Sequence, residues 1–111
     1  MARVRVTIRE KSSVEHSDHE SVAAAIDGLE TRLSRVDATR EPTRVFSREI
    51  APVAQVAARG ELKAGRARGG IDLRGDGSAE AWTGRWRREV VAARPGESAY
   101  DALRRALDQR A

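Results

Sequence analysis

The chain has 111 residues, 21 basic against 17 acidic side chains, a formal net charge of +4 and no cysteine. That length provides one domain with one modest core, and the lack of cysteine excludes disulfides, thiolate metal sites and a cysteine nucleophile. No apolar stretch approaches the roughly 18 residues of a membrane span and the Arg-rich N-terminus has no secretory apolar region, so residues 1–111 are expected to be a single cytoplasmic domain.

The core should be thin, because much of the apolar content is Ala rather than Val, Ile, Leu or Phe. The apolar residues are nevertheless periodic and the net charge is small, so the chain reads as folded. Self-association or docking on a partner protein is one way to complete such a core. Positive charge is uneven: residues 1–42 are close to neutral, and the excess lies in residues 43–111. That asymmetry favours an anionic partner. All basic residues except Lys11 and Lys63 are Arg, a bias that a GC-rich genome also produces.

Residues 3–9 alternate strictly, with Val4, Val6 and Ile8 on one face and Arg3, Arg5, Thr7 and Arg9 on the other. This predicts a half-buried strand with a polar face turned to solvent or to a ligand. Lys11-Ser12-Ser13 opens a stretch that reads as a polar loop. Ser17-Asp18-His19-Glu20 matches a capping box, and Val22, Ile26, Leu29, Leu33 and Val36 form the apolar stripe of a helix ending between Val36 and Thr39. Thr43 to Ile50, with Val45 and Phe46, predicts a strand broken by Pro52. Val53 to Leu62 fits a strand turning at Arg59-Gly60-Glu61 or a helix with Pro52 near its start. The strand is preferred because Gly60 and Gly65 would fall inside the helix. Gly70 to Arg74 leads into an Asp76-Gly77 turn, with Ala79 to Ala92 as the returning strand, bent near Gly84. In that strand Trp82, Trp86, Arg88 and Val90 would share a face. After Pro95-Gly96, Ser98 caps a last helix with Asp101 at its third position and a stripe of Ala99, Leu103, Ala106 and Leu107; Arg110 complements its dipole. The order β-α-β-β-β-α predicts an α+β two-layer sandwich, an antiparallel or mixed sheet with two helices on one face.

The chemistry-bearing stretch is Trp82-Thr83-Gly84-Arg85-Trp86-Arg87-Arg88. Aromatic rings beside guanidinium groups suit stacking on bases and pairing with phosphates. The competing reading is that two scarce tryptophans anchor the core or an interface while arginines shade the rim. The histidines, His16 and His19, lack a third ligand, so no metal site is expected. Arg74-Gly75-Asp76 is explained by the hairpin turn. Gly75-Asp76-Gly77 lacks the rest of a phosphate loop, and no nucleophile or spaced carboxylate pair supports an enzyme. No cofactor is expected. The basic set of Arg59, Lys63, Arg66, Arg68, Arg85, Arg87, Arg88 and Arg94 would converge on the sheet face opposite the helices if residues 59–68 and 85–94 were on neighbouring strands or the loop between them.

Gly96-Glu97-Ser98-Ala99-Tyr100-Asp101-Ala102-Leu103, followed by Ala106-Leu107-Asp108, resembles the last helix of the N-terminal domain of ribosome hibernation factors. That domain is related in shape to double-stranded-RNA-binding domains. The first helix, with Leu29, Leu33 and Arg35, is similar in pattern. The resemblance implies binding to ribosomal RNA in the decoding region. The functional expectation is a non-enzymatic RNA- or ribosome-binding module in which Arg66, Arg68, Arg85, Arg87 and Arg88 contact phosphates and Trp86 or Trp82 stacks. The alternative is a protein-interaction or assembly subunit, either a homodimer or an accessory subunit of a larger complex.

Overall fold

Strict alternation at the N-terminus sends Val4, Val6 and Ile8 into the core and Arg5, Thr7 and Arg9 to the opposite face, and β1 (Val4–Glu10) forms as its periodicity predicts. The computed structural model describes residues 3–37, 43–45, 48–51 and 55–108.

The next segment corrects the expectation of a polar loop. Ser13–His19 is strand β2, paired antiparallel with β1 from Val4↔His19 to Glu10↔Ser13. Its tight turn holds Lys11 at φ 54°, a conformation usually announced by Gly or Asn. β2 is an edge strand exposed along almost all its length, so it has no apolar face to produce a period-2 signal. The helix cap therefore moves from Ser17 to Ser21, whose hydroxyl accepts from the Ala24 amide at 3.1 Å.

Helix α1 (Val22–Leu33) buries Ala25, Ile26, Leu29 and Leu33, the predicted stripe. It ends slightly early, and Val36 packs against the core from the following turn. Near its C-terminus Arg32 reaches Glu15 of β2 at 2.9 Å and Glu10 of β1 at 3.5 Å, tying the helix end to the hairpin. This guanidinium holds the Glu15 carboxyl below its ordinary range.

The single strand expected over Thr43–Ile50 is a hairpin, β3 (Thr43–Val45) and β4 (Arg48–Ile50), in a separate two-stranded sheet. Phe46, Pro52 and Val53 lie outside the described residues. β5 (Val56–Ala64) settles the strand-or-helix alternative as strand, but its turn falls at Gly65-Arg66 rather than at Arg59-Gly60-Glu61. Gly60 is mid-strand because a Cβ there would overlap the Leu29 side chain of α1. Its absence lets the helix settle close on the sheet.

β6 (Ala67–Arg74) and β7 (Ala79–Thr83) are joined by the predicted Asp76-Gly77 turn, where Asp76 accepts from the Ser78 amide at 2.9 Å. The returning segment is two strands, not one bent one: β7, then β8 (Glu89–Val91) after a loop. Trp82 and Val90 pair across these strands, while Trp86 lies in the loop. Helix α2 (Ala99–Asp108) begins with the expected reciprocal cap: Asp101 N–H to Ser98 Oγ and Ser98 N–H to Asp101 Oδ2, both 3.1 Å. Arg110 lies outside the described residues.

The strand order is β2-β1-β5-β6-β7-β8, every neighbouring pair antiparallel. α1 packs over β1 and β5, α2 over β6 and β7, and the helices touch each other. The predicted α+β sandwich with both helices on one face is thus present, on a six-stranded sheet larger than the β-α-β-β-β-α order provides. Ile26, Leu29, Leu62, Ile71 and Leu103 are all buried between the two layers, and a thin composition suffices because Gly and Ala on the sheet admit the larger helix side chains. No helix of the described residues is long and apolar enough to cross a membrane.

Candidate anion-binding face

Pairing register decides which side chains share the uncovered face. Arg5, Thr7 and Arg9 of β1 stand opposite Lys63, Glu61 and Arg59 of β5, which in turn oppose Arg68, Gly70 and Asp72 of β6. Trp82 of β7 lies opposite Gly70. The face away from the helices is therefore built mainly of cations, interspersed with carboxylates and an indole.

Trp82 is only 5% exposed although it sits on this open face. It lies flat over β6 because Gly70 has no side chain: a Cβ there would stand 2.5 Å from the indole Cζ2 and would overlap the Gly60 carbonyl oxygen. The indole N–H donates to Asp72 Oδ1 at 3.1 Å. Asp72 is itself buried and accepts a two-pronged contact from Arg59 at 2.7 and 3.2 Å, with Arg74 at 3.9 Å. The hydrogen bonds to Asp72 raise the pKa of the Arg59 guanidinium. The outer ring face of Trp82 carries Arg88, whose guanidinium carbon is 4.2 Å from the ring centroid.

Past Thr83 the pairing with β6 continues for one more residue, the Gly84 amide donating to the Arg68 carbonyl at 3.0 Å, and the chain then turns into the β7–β8 loop. This brings Arg85 and Arg88 over the ends of β5 and β6. The result is a hollow of about 240 Å³ whose lining includes Arg5, Lys63, Arg68, Arg85, Arg88 and Trp82. Among the described residues, Glu61 is the one acidic side chain in its wall. It is shared by Arg88 at 3.5 Å and Arg9 at 3.9 Å. Arg5 is paired with Asp18 at 3.2 Å. Lys63, Arg68 and Arg85 have no described carboxylate within 4.0 Å.

Of the sequence-derived site residues, Arg68, Arg85 and Arg88 come together in this hollow. Arg66 is exposed on the β5–β6 turn, and Arg87 and Trp86 are exposed on the β7–β8 loop. Trp86 is 91% exposed, with Arg85 5.5 Å from its ring centroid. The two readings of the tryptophans thus divide: Trp82 is packed and Trp86 is open to solvent. Of the two arrangements expected for residues 59–68 and 85–94, neighbouring strands are not found, since β6 and β7 separate β5 from β8. Convergence comes from the loop instead. Arg59 and Arg74 are committed to Asp72 and Glu80. Arg94 uses its backbone amide to hold Glu97 and does not line the hollow.

Arg5 is the member outside the basic set expected to converge, and Lys63, within that set, joins the expected phosphate contacts. The signal for Arg5 was its place on the polar face of β1. For Lys63 it was membership of the wider basic set. His16 and His19 fall on opposite faces of β2, bonded to Thr7 and Ser17, and no metal-binding group of three or more ligands occurs among the described residues.

No family model, no curated protein and no solved structure matches the chain.

Proposed function

We propose that this chain is a non-enzymatic cytoplasmic module that binds structured RNA on its uncovered sheet face, with the hollow as the principal phosphate contact. One observation carries the reading: three cations without described carboxylate partners, Lys63, Arg68 and Arg85, line one hollow, and Arg85 lies 5.5 Å from the ring of the exposed Trp86. Unpaired guanidinium and ammonium groups release counterions on meeting phosphate, and an exposed ring beside them offers a stacking surface for an unpaired base. Arg66 and Arg87, exposed at either side, extend the contact. The likeness of the last helix to that of ribosome hibernation factors favours ribosomal RNA as the natural target.

A mobility-shift titration with a structured RNA at several salt concentrations tests this. Binding at low salt that weakens steeply with salt is expected, with a loss of roughly tenfold for each of Lys63→Ala, Arg68→Ala and Arg85→Ala. Absence of binding at low salt refutes the reading. A second reading, as a protein-interaction or assembly subunit, is favoured by the exposure of Trp86 together with Val90 at 63% and Val14 at 47%. It predicts a mass in light scattering that rises with concentration, or a stable protein complex anchored by Trp86.

A further inference from the structure

We propose that the hollow between β5, β6 and the β7–β8 loop is a site for a terminal phosphate of an RNA chain rather than for a run of internal phosphodiesters. This rests on the RNA-binding reading and makes it specific.

Three observations lead there. First, the face does not present a continuous cationic track. Arg9 is engaged by Glu61, Arg59 by Asp72 and Arg74 by Glu80, so the side chains that would continue a track across the sheet are already neutralised. What is left is charge gathered at one point. Second, the hollow is small, about 240 Å³. It has room for a phosphate group and part of its sugar. Third, the cations without a described carboxylate partner come from separate elements: Lys63 from β5, Arg68 from β6 and Arg85 from the loop, with Arg88 beside them on Glu61. An internal phosphodiester carries one negative charge and two ester linkages that block approach on two sides. A phosphomonoester carries close to two charges at neutral pH and exposes three oxygens. Several donors converging on one point match the monoester better.

Arg88 is the orienting member. Stacked on Trp82 at 4.2 Å and leaning on Glu61 at 3.5 Å, its fork is held over the hollow before any ligand arrives. Trp86, on the same loop and outside the lining of the hollow, is 91% exposed and lies 5.5 Å from the Arg85 guanidinium carbon, so its ring is open to a base.

The experiment compares one short RNA in three forms: 5′-phosphate, 3′-phosphate, and hydroxyl at both ends. Affinity is measured by titration at fixed salt. The Trp86→Phe variant leaves Trp82 as the sole tryptophan, so the emission of Trp82 beneath Arg88 reports occupancy of the hollow. One phosphorylated end is expected to bind roughly ten- to a hundredfold tighter than the hydroxyl form, and to change Trp82 emission. Which end does so identifies the source of the phosphate. Arg68→Ala and Arg85→Ala should abolish the preference. Arg66→Ala and Arg87→Ala, outside the hollow, should weaken all three forms alike and keep it. Circular dichroism checks that each variant folds. Equal affinity for the three forms overturns the terminal-phosphate site while leaving the RNA reading intact. Failure of every form to bind at low salt overturns both.

Discussion

Asp72 is the residue on which the uncovered face depends. It is 6% exposed and serves two donors at once, the Arg59 guanidinium and the Trp82 indole N–H. A buried carboxylate survives only with such partners. Replacing it by Ala leaves the indole N–H without an acceptor and Arg59 without its counterion, at a cost of about 2 kcal/mol. Chemical denaturation should record that loss. The emission of Trp82 should shift to the red as the ring loosens, while Asp72→Asn, which still offers an oxygen, loses less. Glu61 acts in the opposite sense for binding. It is the one carboxylate among the described residues in the wall of the hollow, so Glu61→Gln removes the repulsion and keeps an oxygen on which Arg88 can lean. Anion affinity should rise by roughly three- to tenfold, and an unchanged or weaker affinity would mean that the hollow does not receive the anion.

At the scale of elements, the join between β8 and α2 is fixed by one acidic side chain. Glu97 accepts from Arg105 through both carboxylate oxygens at 3.0 Å each and from the Arg94 amide at 2.8 Å. The Arg105 hydrogen bonds, followed by the Arg94 amide, lower its pKa from 4.5 to about 2. The folded value lies below the unfolded one, so the ionised carboxylate stabilises the fold above pH 4.5. That contribution fades as pH falls from about 4.5 towards 2. Melting curves of the native chain and Glu97→Gln should differ by a constant amount from about pH 7 to 5 and converge below that. A gap that persists to about pH 2 would place the effect elsewhere. The helices are joined by a comparable contact, since Arg104 of α2 reaches Asp27 of α1 and its own Asp101. These ion pairs join α2 to its surroundings, while Leu103 and Leu107 supply the burial.

On the scale of the whole molecule, the division of labour is between two faces of one sheet. The helix-covered face holds nearly all the buried apolar side chains, and the uncovered face holds the charge. Stability and binding are thus separable. Surface substitutions in the hollow should leave the melting temperature nearly unchanged while altering affinity. A phosphomonoester in the hollow and two backbone phosphates met by Arg66 and Arg87 make about four neutralised charges, so the logarithm of the association constant should fall with the logarithm of salt with a slope of about −3. Arg66→Ala and Arg87→Ala should each reduce that slope by about one. A flat salt dependence would show that the bound species is held by something other than charge.

The local periodicities were enough to determine β1, the stripe of α1, the Asp76-Gly77 turn, the Ser98–Asp101 cap and the two-layer α+β architecture. Each is written in neighbours within a few residues, where alternation, a 3.6-residue repeat or a turn residue acts directly. Only the tertiary structure decided the rest. β2 was silent because an exposed edge strand buries nothing, and its turn uses Lys11 in place of Gly. The cap moved to Ser21 because pairing with β1 keeps Ser17 extended. Trp82 and Trp86, four residues apart in similar surroundings, have opposite fates: Gly70, from another strand, makes room for one ring and nothing makes room for the other. The hollow is likewise a product of pairing register and of the β7–β8 loop, from which Arg88 reaches over Trp82 to Glu61. It gathers Arg5, Lys63, Arg68, Arg85 and Arg88 from four separate segments, and leaves cationic only those that register has not set beside a carboxylate.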